Sequence, residues 1–159
     1  AFKNYTDAAN LGNHYSYGNI AKFYTLGTGN VKKDYSRAIY NYKLATIADY
    51  GDNDNFELKI LLKKGRLPKN KKELENWYIE EIRSTKNFSN LMKIVWLYDH
   101  DDKKILSWLY LTSKYTQSNS GYQQRAVSDL DILLKNNFPG VKKKDIINQS
   151  EILFKNNFK

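Results

Sequence analysis

The stretch YTLGTGNVKKDYSRAIYNYKLA, residues 24 to 45, holds the pattern that decides the fold. In its second half, apolar and small side chains recur every three or four residues, at Tyr35, Ala38, Ile39, Tyr42 and Ala45. That spacing places them on one face of an α-helix. Asp34 stands directly before the run, where its carboxylate can accept hydrogen bonds from the free amides of the first helical turn. The stretch therefore predicts a helix that begins after Asp34.

The same stretch contains a glycine-rich segment, Gly27-Thr28-Gly29, followed by two lysines. A phosphate-binding loop would have the pattern G-x-x-x-x-G-K-[ST], or G-x-G-x-x-G after a strand. Here the third glycine is missing and no strand pattern precedes the segment. Gly27 instead follows the periodic residues of an earlier helix, at the position where a left-handed glycine often ends a helix. We therefore predict that Gly27 and Gly29 turn a helical hairpin and do not hold a nucleotide.

The helical pattern recurs along the chain. Residues 1–8 match residues 38–45 at an offset of 37, with Asn4-Tyr5 aligned to Asn41-Tyr42 and Ala8 to Ala45. Related segments return as LENWY at 74–78 and as ILSWL at 105–109. A fixed period in the thirties is the signature of a stacked array of helix pairs. The sequence predicts an all-α fold, an α-solenoid of antiparallel helix pairs with about three to four repeats and a C-terminal capping helix.

We expect a single domain over residues 1–159. Its predicted parts are the second helix of a partial repeat (1–12), a repeat (13–52), a second repeat (53–86), a shortened repeat (87–117) and closing helices (118–159). Because the first part starts midway through a unit, we expect either an upstream partner helix in a longer parent protein or a half hairpin. A cap of the following helix is predicted at Asp101, at the position that Asp34 has before its own helix. A second cap is predicted at Asn70, with Glu73 three residues on.

In this register the sequence resembles the Sel-one-like repeat family, a branch of the tetratricopeptide-type α-solenoids. The positions that match the family pattern are Gly12-Asn13, Ser16, Ile20-Ala21, Tyr24, Gly27, Gly29, Val31, Asp34, Ala38, Tyr42, Ala45 and Gly51. Trp77 and Trp108 keep the family's tryptophan, and Asn4 and Asn41 replace it. The resemblance implies a right-handed stack of helix pairs whose first helices line a concave face. It implies an adaptor or scaffold, common in bacteria and often exported, and it implies no catalytic residues.

Composition bounds the possible chemistry. The net charge is +9, but 22 of the 26 basic residues are lysines, as an AT-rich genome would produce. We interpret this charge as mostly a solubilising background, since arginine is the residue that bidentate phosphate recognition favours. The clusters Lys63-Lys64, Lys69 to Lys72 and Lys142 to Lys144 are assigned to three separate turns. They leave nucleic-acid binding as the alternative function. The chain has no cysteine, so disulfides and thiolate metal sites are excluded.

Candidate catalytic and metal sites have simpler interpretations. His100 lies among Asp99, Asp101 and Asp102, but one histidine with adjacent carboxylates has no fixed ligand spacing. We expect no metal and no cofactor. The glutamates Glu73, Glu75, Glu80 and Glu81 are expected to form a solvated helix face. We expect no enzymatic activity.

The expected function is protein–protein interaction, as an adaptor or scaffold, or as an immunity or regulatory protein that covers its partner. The tentative partner-binding residues lie off the core stripe of the first helices, on the expected concave side: Tyr15, Asn19, Lys22, Thr25, Asn53, Phe56, Ile60 and Lys63. The partner is expected to be another protein or a peptide, and no apolar run is long enough to span a membrane. The chain begins at Ala1 rather than Met, so we expect processing or trimming. A bacterial periplasmic or secreted location is favoured over the cytoplasm.

Overall fold

The computed structural model describes residues 1–47, 52–118 and 120–159, and the side chains of residues 52–55 lie outside the description. Every regular element in the described ranges is helical, which confirms the all-α prediction. The α-helices are α1 (Phe2–Asn10), α2 (Tyr15–Leu26), α3 (Tyr35–Ile47), α4 (Asp52–Lys64), α5 (Lys71–Thr85), α6 (Leu91–Val95), α7 (Lys104–Tyr115), α8 (Gly121–Asn136) and α9 (Lys143–Phe158). A short 3-10 helix, Phe88–Asn90, precedes α6.

The chain divides into two compact units, an N-terminal unit of Ala1–Leu74 and a C-terminal unit of Glu75–Lys159. The division falls within α5. The predicted single array and its repeat boundaries stay predictions, and so does the family match at Gly51, which lies outside the described residues.

In the N-terminal unit, α1 packs on α2, α2 on α3 and α3 on α4. The small side chains Ala21 of α2 and Ala38 of α3 have no exposed surface. Since small residues allow a close approach of backbones, the larger apolar side chains can fill the remaining space. Tyr42, one helical turn beyond Ala38, is also fully buried. The apolar stripe of the 24–45 stretch therefore forms part of the core of this unit.

The two ends of the α2–α3 turn match the sequence predictions. Gly27 ends α2 in the left-handed conformation, with φ 65° and ψ 45°, and its N–H donates to the carbonyl oxygen of Phe23 at 2.8 Å. Gly29 also has a positive φ, 63°. At the start of α3, the N–H of Arg37 donates to Asp34 Oδ1 at 2.9 Å, so Asp34 caps the helix. The predicted glycine turn and the predicted cap are both confirmed.

In the C-terminal unit, α7 is the central helix and packs on α6, α8 and α9. Its buried side chains include Leu106, Trp108 and Leu109. Where α7 meets α9, the rings of Tyr115 and Phe154 stack with centroids 3.9 Å apart and planes 4° from parallel. The two closing helices thus cover α7 with a largely apolar contact.

The start of α7 differs from the prediction. The N-cap position of α7 is Lys103, which makes no side-chain cap hydrogen bond, so the predicted cap at Asp101 is wrong. The N–H of Lys104 donates to Asp102 Oδ1 at 3.0 Å. The N–H of Asp102 itself donates to the carbonyl oxygen of Asp99 at 3.0 Å, which closes an additional turn before α7 begins.

The α2–α3 turn predicts that replacing its two glycines by alanine lowers the unfolding free energy by different amounts. Gly29→Ala should cost about 1 kcal/mol of unfolding free energy, because a Cβ is disfavoured at positive φ, although its surroundings are open. Gly27→Ala should cost about 2 kcal/mol or more, since its Cβ would also lie 2.7 Å from Lys33 Cγ. Urea unfolding would measure both. Gly140→Ala, which has open space and no positive φ, is the matched control and should be nearly neutral. Equal costs at Gly27 and Gly29 would contradict the contact with Lys33.

Candidate binding surface

The predicted partner-binding residues on α2 divide into two groups. Tyr15 is 65% exposed, and Asn19 and Lys22 are half-buried on the same helix face. These three side chains form a partly exposed stripe. Thr25, predicted to continue it, is buried, and its hydroxyl donates to the carbonyl oxygen of Ala21 at 2.9 Å. The prediction of an exposed Thr25 is therefore wrong, because Thr25 lies one helical turn after Ala21 on the buried side of α2.

On α4 the prediction placed core residues on the surface. Phe56 and Ile60 are only 6% and 2% exposed, so neither is accessible to a partner. They lie one helical turn apart on the side of α4 that is buried, and α4 packs on α3. Lys63 is exposed, as expected for a residue that contacts a partner. The side chain of Asn53 lies outside the described residues.

The N-terminal unit contains an open groove of about 890 Å³ between the start of α1, the end of α2 and the α2–α3 turn. Its apolar wall is made of three rings. Phe2 packs edge-on against Phe23 at 5.4 Å and against Tyr24 at 5.6 Å between ring centroids. Sequence reasoning missed this groove, although the glycine-rich segment that forms its floor was singled out.

Basic side chains also line the groove. Lys32 is exposed, and Arg37 extends over the ring of Tyr24 with its guanidinium carbon 5.5 Å from the centroid. Arg37 also forms an ion pair with Asp34 at 3.6 Å. The pKa of Arg37 is raised, first by its hydrogen bond with the Tyr24 hydroxyl and then by the nearby charges. The groove thus combines an aromatic wall with a positive rim.

Lys33 connects the α2–α3 turn to the α4–α5 turn. Its ammonium group donates to the carbonyl oxygen of Pro68, and to that of Lys69 at 3.0 Å. Its side-chain stem passes across Gly27, where any Cβ would collide with it. The second lysine after the glycine segment therefore binds backbone carbonyls of its own unit, which is a structural role.

The α4–α5 turn is fixed by a network around Glu73. The carboxylate accepts two hydrogen bonds from the Arg66 guanidinium, at 2.6 and 3.1 Å, and one from the N–H of Lys69 at 2.5 Å. The N–H of Glu73 donates to Asn70 Oδ1 at 2.9 Å, which confirms the predicted Asn70 cap. These contacts, with the Arg66 hydrogen bonds first, lower the pKa of Glu73 to about 2.

Because Lys33 joins the two turns, their positive charges lie together. We define the basic edge as residues 28–37 and 63–74. It contains nine basic residues against two carboxylates, and the N-terminal unit as a whole contains 13 basic and seven acidic residues. The residues of this unit outside the basic edge therefore include four basic and five acidic side chains, an acidic excess of one. The clusters Lys63-Lys64 and Lys69 to Lys72 flank this one α4–α5 turn, so their assignment to separate turns is wrong, whereas the interpretation of the lysines as a solubilising background stays an interpretation.

The C-terminal unit contains a smaller cleft, of about 240 Å³, that Trp96, Tyr98 and His100 help to line. Burial raises the pKa of Tyr98, and its hydrogen bond to Glu75 raises it further.

Two of the glutamates expected on a solvated face, Glu75 and Glu81, are in fact buried. Among the described residues, no group of three or more histidines and carboxylates is arranged to hold a metal ion. Within the same part of the chain, no helix has both the length and the apolar character that crossing a membrane demands.

No protein-family model matches the chain, and neither does any curated protein or solved structure.

Lys33 and Lys32 provide a matched pair of substitutions. Lys33→Met should lower the unfolding free energy by about 1 kcal/mol, since it removes the ammonium hydrogen bonds to two carbonyls at a solvent-accessible site. Lys32→Met, with the same change in charge and side-chain volume, should be within about 0.5 kcal/mol of the native chain. Urea unfolding would compare the two variants. Equal stabilities would show that Lys33 does not connect the turns.

The Glu73 network predicts a specific pH dependence. The pKa of Glu73 lies below its ordinary value of 4.5, at about 2, so its stabilising contribution is complete above pH 4.5 and is lost as the pH falls toward 2. The stability advantage of the native chain over Glu73→Gln should shrink across that range. A carbon NMR titration of the Glu73 carboxyl group would measure the pKa directly. Arg66→Gln should raise it, and an unshifted pKa in the native chain would contradict the network.

Proposed function

We propose that this chain is a non-catalytic protein–protein interaction module that binds a segment of another protein in the groove of its N-terminal unit. The observation that carries the proposal is the groove itself, about 890 Å³ in volume, open, and lined by both aromatic and basic side chains. Aromatic residues and arginine are the side chains that protein interfaces concentrate. In this proposal the chain is an α-solenoid of the Sel-one-like repeat type, acting as an adaptor or scaffold.

The groove is held in place before a partner arrives. Its floor is a turn whose two glycines have left-handed conformations and whose Asp34 caps α3. Lys33 connects that turn to the neighbouring one. Binding to a preformed surface requires little ordering of the chain, so more of the contact energy appears as affinity. This supports a role in which the surface is the functional part and no reaction follows.

The α2 stripe of Tyr15, Asn19 and Lys22 is a second surface on which a partner would bind. Among the α2 residues predicted from the sequence to bind a partner, these three are the accessible ones. The stripe has one large exposed ring, Tyr15, whereas the groove has three rings and a concave volume of about 890 Å³. The groove is therefore the preferred site, and the stripe is tested beside it.

Photo-crosslinking would test the proposed function. A photoreactive amino acid would replace Asn30 in the groove, Tyr15 on the stripe, or Gln149 on the exposed side of α9 as the matched control. In cells of the source organism, we expect one protein to be crosslinked from Asn30 and not from Gln149. Crosslinking of that protein from Tyr15 alone would move the site to the stripe. No protein adduct at either position, or the same adducts at all three, would refute the proposal.

A further inference from the structure

The charge distribution of the N-terminal unit is uneven in a way that composition alone does not explain. A compositional bias toward lysine would place basic residues throughout the unit. Instead the basic edge carries an excess of seven positive charges, and the rest of the unit carries a slight acidic excess. Like charges held together repel one another, which disfavours the compact state in the absence of an anion. This clustering indicates an anionic partner.

The carboxylates within the basic edge are already engaged by its arginines. Asp34 pairs with Arg37, and Glu73 pairs with Arg66 through two hydrogen bonds. The excess charge is therefore contributed by the lysine side chains, among which Lys32, Lys69 and Lys71 are exposed. Lysine offers a point charge with no preferred planar geometry, which suits a flexible row of carboxylates.

We propose that the groove and the basic edge bind an extended acidic segment of the partner protein, rich in Asp and Glu, with an aromatic or apolar residue seated against the ring wall. This inference rests on the proposed function and specifies the partner's chemistry. The carboxylates lie along the lysines of the two connected turns, and the apolar residue enters the groove. Charge complementarity then speeds the encounter, and the groove contributes most of the lifetime of the complex.

An acidic protein segment fits the observations better than a single-stranded nucleic acid. Sequence-tolerant nucleic-acid grooves stack bases on accessible aromatic faces. In this groove the Phe2, Phe23 and Tyr24 rings are only partly exposed and pack edge-on against one another, and Arg37 lies over Tyr24. Both arginines of the basic edge are committed to carboxylates, so bidentate contacts with phosphates would require breaking those pairs.

Fluorescence anisotropy with the whole 159-residue chain would test the inference. The probe is a labelled peptide of about twelve residues of mixed Asp and Glu with one central Phe, long enough when extended to cross both turns. Two triple variants are compared after circular dichroism confirms that they fold. The first is Lys32→Glu, Lys69→Glu and Lys71→Glu in the basic edge. The matched control is Lys142→Glu, Lys143→Glu and Lys144→Glu, which has the same net charge and alters only the C-terminal unit.

We expect the edge variant to weaken peptide binding at least about tenfold, and the control variant to weaken it less than about threefold, because the control lysines are not part of the proposed site and act only through the net charge, which salt screens. Equal losses in the two variants, or no binding by the native chain, would overturn the inference. An oligo-dT of the same charge that binds more tightly than the peptide, and is lost in the edge variant, would also overturn it in favour of nucleic acid. If the Glu variant fails to fold, Lys32→Gln, Lys69→Gln and Lys71→Gln replace it, with a smaller but still selective loss.

Failure of this inference and failure of the proposed function give different results. If a protein is crosslinked from Asn30 and the edge variant retains it with native affinity, the groove binds a protein but the acidic-segment inference is wrong. If nothing is crosslinked from either Asn30 or Tyr15, the proposed function fails whatever the peptide does. A protein crosslinked from Asn30 and lost in the edge variant supports both.

Discussion

The contact of the Lys33 ammonium group with the carbonyl oxygens of Pro68 and Lys69 is the interaction on which the N-terminal unit's surface depends. Pro68 and Lys69 follow Lys33 by 35 and 36 residues in the chain, so a single side chain makes a long-range contact between two turns. Only a long, flexible donor with several N–H groups can reach both carbonyls. The missing Cβ of Gly27 gives the stem its path. This contact brings the positive charges of the two turns together.

The parts of the fold that the sequence predicted are those decided by neighbours in the chain. The α3 stripe repeats every three or four residues, and Asp34 and Asn70 stand directly before helices whose free amides need acceptors. Gly27 is predictable because its role depends on local φ, which a side chain would penalise. At α7 the same reasoning placed the cap at Asp101, whereas the N-cap position is Lys103. The extra turn from Asp99 to Asp102 does not alter the periodicity, so the sequence offers no signal for it.

The candidate site was less predictable because exposure depends on how helices rotate against each other. Phe56 and Ile60 share one face of α4, and this face is buried. The sequence alone does not show which face of α4 the neighbouring helix covers. The groove is built by three segments that meet in space, and Phe2 and Phe23 are distant in sequence. The signal that was present is compositional. Nine basic residues stand in two short segments, and only the Lys33 contact shows that these segments adjoin.

The positions of the two arginines help to explain how the N-terminal unit folds although its basic edge has an excess of positive charge. Each arginine is held by a carboxylate at the start of a helix, where a negative charge is also favoured by the helix dipole. The carboxylates thus cap the helices and fix the turns, and they are not free to neutralise the lysines. Lys33 apart, the side chains shown to fix the turns are therefore not the ones that carry the excess charge of the edge. A partner that supplied carboxylates could bind the exposed Lys32 and Lys69 without competing with the Lys33 and arginine contacts that hold the turns, so binding would leave the groove intact.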